Sequence, residues 1–239
     1  MQGRTDVARA ASEAGRGTPP ALGRVGRRRA RVRRQLLEAA EMLMGARGVA
    51  AVTVEEITEA ADVARRTFYH HFDSKHDLLV PIARARTKLL NRRIDRLIED
   101  VRDPAEAVSI ALRHTLRGIP EDSLCAWFVL HSGLSYERLF EGIGESGTRD
   151  VEQGVATGRF AVDNRAAGYT LMMGALIAVI SARVEGKLRD DDLDDAVEYA
   201  LRLFGVSVVE ARDIAHRPLP SLPEESAGAP ESAAVAHDG

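Results

Sequence analysis

Cysteine is almost missing from this 239-residue chain. Cys125 stands alone, so no intramolecular disulfide can form, and its apolar neighbours mark a core thiol rather than a redox switch. Long apolar runs are missing too. The longest, Tyr169 to Ile180, is broken by Gly174 and falls short of the ~20 residues a bilayer crossing needs; the N-terminus carries no signal-type apolar segment. The expectation is a cytoplasmic protein with no membrane partner. No glycine-rich loop follows a strand pattern, and no Ser, His and Asp set has the spacing of a nucleophile elbow, so neither an enzyme nor a cofactor is expected. Lysine is also scarce, at 3 of the 33 basic residues. That bias reads mainly as the codon usage of a G+C-rich genome, with enhanced phosphate binding as a second reading.

The charge that is present is unevenly placed. Met1 to Arg96 carries 20 basic and 11 acidic side chains, a net of +9, whereas Leu97 to Gly239 carries 13 and 25, a net of −12. A basic head on an acidic body points to a polyanion held at one end only.

The stretch TVEEITEAADVARRTFYHHFDSKHDLL, Thr53 to Leu79, shows how the head is built. Thr53 can cap a helix whose opening turn holds Glu55 and Glu56, where the helix dipole favours negative charge. Val54, Ile57, Ala60 and Ala61 recur at helical spacing and give that helix an apolar face. Asp62 tolerates left-handed backbone geometry and Val63 adds an apolar plug, which predicts a turn. A second helix, Ala64 to Phe72, buries Phe68 and Phe72. It shows Arg65, Arg66 and Thr67 as candidate base readers and Tyr69 and His70 as candidate phosphate ligands. Ser74-Lys75-His76-Asp77 opens a third helix, with Lys75 a further phosphate candidate alongside Thr53. Helix, turn and basic helix describe a helix-turn-helix reader.

These residues closely resemble the DNA-binding head of TetR-type transcriptional regulators. The match runs ungapped through Thr53, Ile57, Ala60-Ala61, Val63, Thr67-Phe68-Tyr69-His70-His71-Phe72 and Ser74-Lys75. It departs at Asp62, where the pattern has Gly, at Ala64, where a capping Ser is common, and at Arg66, where a small residue is usual. The resemblance implies an all-α homodimer with a three-helix head at 27–73, a ligand-binding and dimerisation body at 74–217, a palindromic DNA operator and a small-molecule effector. It implies repression relieved by that ligand.

Around this stretch, residues 1–26 read as a disordered arm. Arg24, Arg27, Arg28, Arg29, Arg31, Arg33 and Arg34 then form a basic run suited to phosphates or the minor groove. A first helix is expected from Arg31 to Arg47, stopped by Gly48. The helix after Ser74 should reach about Asp100, kinked at Pro81. Asp103-Pro104 opens another, expected to stop at Gly118 and Pro120. Ser123 starts the next, glycines 142, 144 and 147 mark a loop, and a short helix covers 148–157. Asp163 caps a long helix through Glu185, Leu193 to Phe204 forms the last main one, and 209–216 forms a short one. Residues 218–239 read as a disordered tail.

Small residues at Gly174, Ala175, Ala178, Ser181 and Ala182 permit close helix approach, either inside the chain or between two copies. The resemblance assigns them, with Leu201 and Phe204, to a dimer interface. Trp127, Phe128, His131, Tyr136, Phe140, Tyr169, Met172 and Met173 could be ordinary core. The resemblance makes them candidates for an effector pocket, with His114 as a polar group and a mainly apolar ligand of unknown identity. His70, His71, Asp73, His76 and Asp77 lack metal-ligand spacing, so no metal site is expected. Two rival readings are a helical scaffold or ligand-binding protein without specific DNA readout and a small helical metalloenzyme.

Overall fold

The structure, a computed structural model, describes residues 23–131 and 144–224, and for 144–148 the backbone alone. Expectations for the arm before residue 23, for Tyr136, Phe140 and Gly142, and for the tail after residue 224 fall outside those residues. Among the described residues every regular element is a helix. In chain order these are α1 Arg24–Arg47, α2 Val54–Ala60, α3 Arg65–Tyr69, α4 Lys75–Ile98, α5 Pro104–Glu121, α6 Ser123–His131, α7 Gly144–Ala156, α8 Arg165–Val184, α9 Asp192–Leu203 and α10 Val208–Ala215.

The head is α1 to α3 packed on the first turns of α4. Leu36, Ala40 and Met44 of α1, Ile57 of α2, Phe68 of α3 and Leu78 and Leu79 of α4 form one buried cluster. Phe68 is fully buried, and burying such a ring contributes about 1.5–3 kcal/mol. Leu124 and Phe128 of α6 belong to the same cluster, so head and body share a core at their junction. Arg86 of α4 reinforces it by donating to Glu41 Oε1 of α1 at 2.9 Å and to Asp122 Oδ2, ahead of α6, at 2.7 Å.

The body wraps α5 in α4, α7, α8, α9 and α10, with Val108, Leu116, Met172, Leu176, Leu193, Leu201 and Phe204 in its core. Its acidic surplus is partly internal. Arg113, 6% exposed at its side chain, donates to Asp194 Oδ1 at 2.8 Å, and Arg117 joins the same oxygen at 2.9 Å.

Several expectations are corrected. α1 begins at Arg24, not Arg31, so the arginine run is helical; Arg is a good helix former, and Gly26 alone does not break the turn. α5 continues through Gly118 and Pro120 to Glu121. Gly118 is a packing glycine there, since a Cβ would stand 3.1 Å from Leu90 Cδ2. As expected, α4 runs on across Pro81, to Ile98. The helix at Gly144 starts earlier than 148. Asn164, not Asp163, caps α8 by accepting from Ala167 N at 3.0 Å.

Residues 218–224 are also not a free tail. The chain folds back over α4 and α5, where Leu219 and Leu222 meet Ile94, Ile98 and Ile110. Arg113 donates to the Arg217 carbonyl at 2.7 Å, and Arg93 to the Pro223 carbonyl at 3.1 Å.

Two residues assigned to the dimer interface are core: Leu201 is 0% and Phe204 1% exposed. They face inward with Leu193 and Val197, and the outward apolar residues of α9 are Tyr199 and Leu203. On α8, Leu171, Ala175 and Ala178 are exposed, while Gly174, Ser181 and Ala182 are half-buried. α8 is also long and apolar enough, by length and composition, to cross a membrane, against the expectation that no segment is. One face of it is committed to the body core through Met172, Met173, Leu176 and Ile180.

Candidate nucleic-acid interface and effector cavity

The reader is positioned by local chemistry. Thr53 and Glu56 form a reciprocal capping box: Thr53 Oγ1 accepts from Glu56 N at 3.2 Å, and Glu56 Oε2 accepts from Thr53 N at 2.8 Å. The Thr53 backbone N–H, and then Arg47, hold the Glu56 carboxyl down at about 2. Arg47 Nη1, 2.8 Å from Glu56 Oε1, ties the end of α1 to the start of α2. Asp62 takes the left-handed conformation expected of it, with φ +53°, and turns the chain into α3.

On α3 Phe68 points inward and Tyr69 outward. Arg65 pairs with Glu55 of α2 and lies over the Tyr69 ring at 5.9 Å. Glu55 and the Tyr69 ring thus fix the direction of its guanidinium. Arg66 is exposed and joins no ion pair among the described residues, and Thr67 is half-buried beside it. His70 is exposed. His71 is half-buried, and burial, with Arg29 and Arg33 close by, pushes its pKa down. Arg33 lies 5.1 Å above the Phe72 ring. The arginine-rich start of α1, including Arg27, Arg28, Arg29 and Arg31, is therefore carried beside the reader on a rigid helix, and one basic surface spans both.

Two expected phosphate ligands are otherwise engaged. Thr53 Oγ1 is used by the capping box. Lys75 turns back to donate to the carbonyls of Val49 and Val52, both at 2.8 Å, which closes the loop between α1 and α2. The Thr53 cap is local and was legible, but loop closure by Lys75 joins positions more than twenty residues apart, and sequence order could not reveal it.

The pocket candidates separate into three places. Trp127, Phe128 and His131 lie at the head–body junction, where the His76 ring stands 5.8 Å from Trp127 and 6.1 Å from Phe128, and His131 stacks on Trp127 at 4.7 Å. His114 is buried, and its Nε2 lies 2.9 Å from the Pro220 carbonyl oxygen of the C-terminal strap. Tyr169, Met172 and Met173 do line a cavity, of about 50 Å³, between α4, α5, α7 and α8.

That cavity shares Asp95, Ile98 and Asp150 with an adjoining cleft of about 460 Å³. Two carboxylates therefore stand where an apolar wall meets a wider opening. Burial raises the Asp150 carboxyl, Asp95 raises it further, and Arg149 partly opposes them. Asn91 of α4 and Thr115 of α5 add polar groups. The sequence reading missed this set because Asp95 and Asp150 come from separate helices, with no spacing to connect them. The cavity wall includes Asn91, Ile94 and Ile98 of α4, the helix whose other end enters the head core.

A helix-turn-helix fold, with its basic second helix exposed, thus stands at one end of a helix whose other end walls an apolar cavity, the layout of a DNA-binding regulator. Comparison with known proteins agrees. Residues 36–82 match the bacterial regulatory proteins of the tetR family, and residues 103–217 match the tetracyclin repressor-like C-terminal domain. RolR crystallised with resorcinol is 33% identical, with a TM-score of 0.75 over 82% of this chain and 99% of that one. An HTH-type transcriptional regulator of Mycobacterium tuberculosis is 37% identical over 95 residues, 39% of this chain and 47% of the relative. BetI of Brucella canis is 28% identical over 101 residues, 41% and 51% of the two chains. The chain thus spans about half the length of these two relatives. FadR of Thermus thermophilus, with lauroyl-CoA, shares the fold at 21% identity and TM-score 0.57, over 81% of this chain and 99% of that one. The chain belongs to the TetR family of bacterial transcriptional regulators.

Proposed function

We propose that the chain is a cytoplasmic homodimeric repressor, released from a palindromic operator when a small hydroxylated aromatic compound, too large for the cavity of about 50 Å³ alone, occupies it together with the adjoining cleft of about 460 Å³. The observation that carries this reading is the Asp95–Asp150 pair at the mouth of an apolar cavity walled by the reader's own helix. Apolar walls accept an aromatic ring, and carboxylates accept hydrogen bonds from ring hydroxyls. RolR, similar over nearly its whole length, holds resorcinol, a ligand of this class. To the mainly apolar ligand expected from sequence this reading adds hydroxyl donors.

In the dimer, Leu171, Ala175 and Ala178 of α8 and Tyr199 and Leu203 of α9 face the second copy, and two α3 helices meet successive major grooves about 34–36 Å apart. Arg66 and Thr67, with Arg65 steadied by Glu55, read bases. Tyr69, His70 and the arginines of α1 hold phosphates. A ligand that prefers the arrangement of α4 unsuited to the operator lowers DNA affinity, and DNA lowers ligand affinity by the same factor.

The test is fluorescence-anisotropy binding to tiled DNA flanking the gene, at physiological salt with competitor, followed by release with resorcinol, other phenols and an acyl-CoA. Palindrome-dependent binding reversed by phenols is expected. Release by acyl-CoA alone would refute the carboxylate reading and leave the DNA reading standing; equal weak binding to all tiles would refute the latter.

A further inference from the structure

Three ligand-type side chains that neither the reader nor the cavity uses converge where α9 meets the end of α10. Asp195 and Glu198 stand three residues apart on α9 and so share a face. His216, which ends α10, lies over them with Nε2 3.2 Å from Asp195 Oδ1 and 3.8 Å from Glu198 Oε2. The three ligand atoms lie within 4.8 Å of one another.

Glu198 gives the cluster its meaning. Its side chain is 9% exposed, yet it accepts no hydrogen bond among the described residues; Arg202 Nη1 approaches Oε1 at 3.6 Å, and Oε2 faces the imidazole. Buried carboxylates normally gather close donors, because desolvation without them is costly. Arg202 and the imidazole both stand beyond hydrogen-bond reach of this one. A cation seated between Oε2, Asp195 Oδ1 and His216 Nε2 would use those open lone pairs.

We propose that Asp195, Glu198 and His216 form a binding site for a divalent transition-metal ion of the Zn²⁺ class. Tetrahedral Zn²⁺ with N and O ligands at about 2.0–2.2 Å sets those ligand atoms about 3.3–3.5 Å apart. The separations of 3.2 and 3.8 Å bracket that spacing. The imidazole favours this class over Ca²⁺ or Mg²⁺, which take oxygen. Two carboxylates neutralise the ion, and three protein ligands leave the fourth position to water, so the ion is exchangeable. It pins the end of α10 to α9, one turn from the exposed Tyr199. This site stands independently of the effector reading.

Chelator-stripped full-length protein titrated with Co²⁺ as a visible-absorbance probe, then with Zn²⁺ as competitor, tests the site. One Co²⁺ per chain is expected, displaced by Zn²⁺, with Zn²⁺ raising Tm. His216→Ala and Asp195→Asn, both at exposed positions, should each weaken binding by about tenfold or more while keeping native circular dichroism. Wild-type binding that is absent or many-sited, or binding unchanged by His216→Ala, overturns the site. Variants that lower the metal-free Tm, beside a wild type that binds no ion, would show an ion pair only and overturn it equally.

Discussion

Arg86→Ala should uncouple the effector from the DNA while leaving both binding sites intact. Arg86 lines neither the effector cavity nor the reader surface. Its guanidinium joins Glu41 of the head to Asp122 of the body, with side-chain exposures of 37%, 44% and 24%. Asp122 has other work, accepting from Leu124 N at 3.0 Å and Cys125 N at 3.3 Å, and Glu41 can be solvated. Removing Arg86 therefore orphans no buried charge. Discounted for solvent, the two half-exposed pairs contribute about 1 kcal/mol together, a fall in Tm of about 2–4 °C.

A tie made in only one of the two arrangements of α4 contributes that same energy to the coupling, and 1 kcal/mol is about fivefold in an equilibrium constant. The assay is operator affinity with and without the releasing phenol. The ratio of the two dissociation constants should shrink about fivefold in Arg86→Ala, with effector affinity in the absence of DNA little changed. A double-mutant cycle with Glu41→Ala should show the two losses overlapping. A folded variant that keeps the wild-type ratio would refute the junction as the route of transmission.

Asp150→Asn should abolish release by phenols and leave operator affinity intact. The raised Asp150 pKa means the folded chain holds that proton more tightly than the unfolded one. The resulting cost is absent below about pH 4 and grows as pH rises through the folded pKa, so the Asn variant should match or exceed the wild-type Tm at pH 7; a lower Tm with release retained would contradict both statements. Asp194→Ala should cost about 3–5 kcal/mol in thermal or urea unfolding, because it strands the buried Arg113 guanidinium. Burial pulls the Asp194 pKa upward, but hydrogen bonds from Arg117 and Arg113 carry it below the ordinary value. The wild-type advantage should therefore be present above the ordinary carboxylate pKa and vanish as pH falls through the lowered one. Leu171→Asp with Tyr199→Asp should yield monomers in light scattering, whereas a persistent dimer would move the interface elsewhere. Arg66→Ala should relax base preference, measured as the affinity ratio between matched and scrambled sites; Lys75→Ala should lower head stability by about 1–2 kcal/mol through the lost Val49 and Val52 bonds.

The head was legible because its determinants are local. A threonine three residues before a glutamate is a cap wherever it falls, and Asp62 needs only its own backbone to accept a left-handed turn. Elements with a weak or doubled signal were not. α9 is apolar on two sides, and periodicity cannot say which faces its own core. Leu201 and Phe204 went inward, Tyr199 and Leu203 outward. The C-terminal prolines were a different failure. Proline removes a donor but keeps a carbonyl, and the strap is held largely by donors from α4 and α5 to the carbonyls of Arg217, Pro220 and Pro223.

The proposed effector cavity was the least legible part, for a reason that bears on the function proposed for it. Its carboxylates enter from α4 and α7, helices far apart in sequence, so only the packed body brings them to one cavity. A site assembled across elements responds to their relative position, as a ligand switch requires. Asp95 occupies the last part of the helix whose first part holds Leu78 and Leu79 in the head core. In the proposed mechanism a ligand drawing Asp95 and Asp150 together would shift α4 against α7, and α4 would carry that displacement to the reader. A cavity confined to one hairpin would bind as well and transmit nothing.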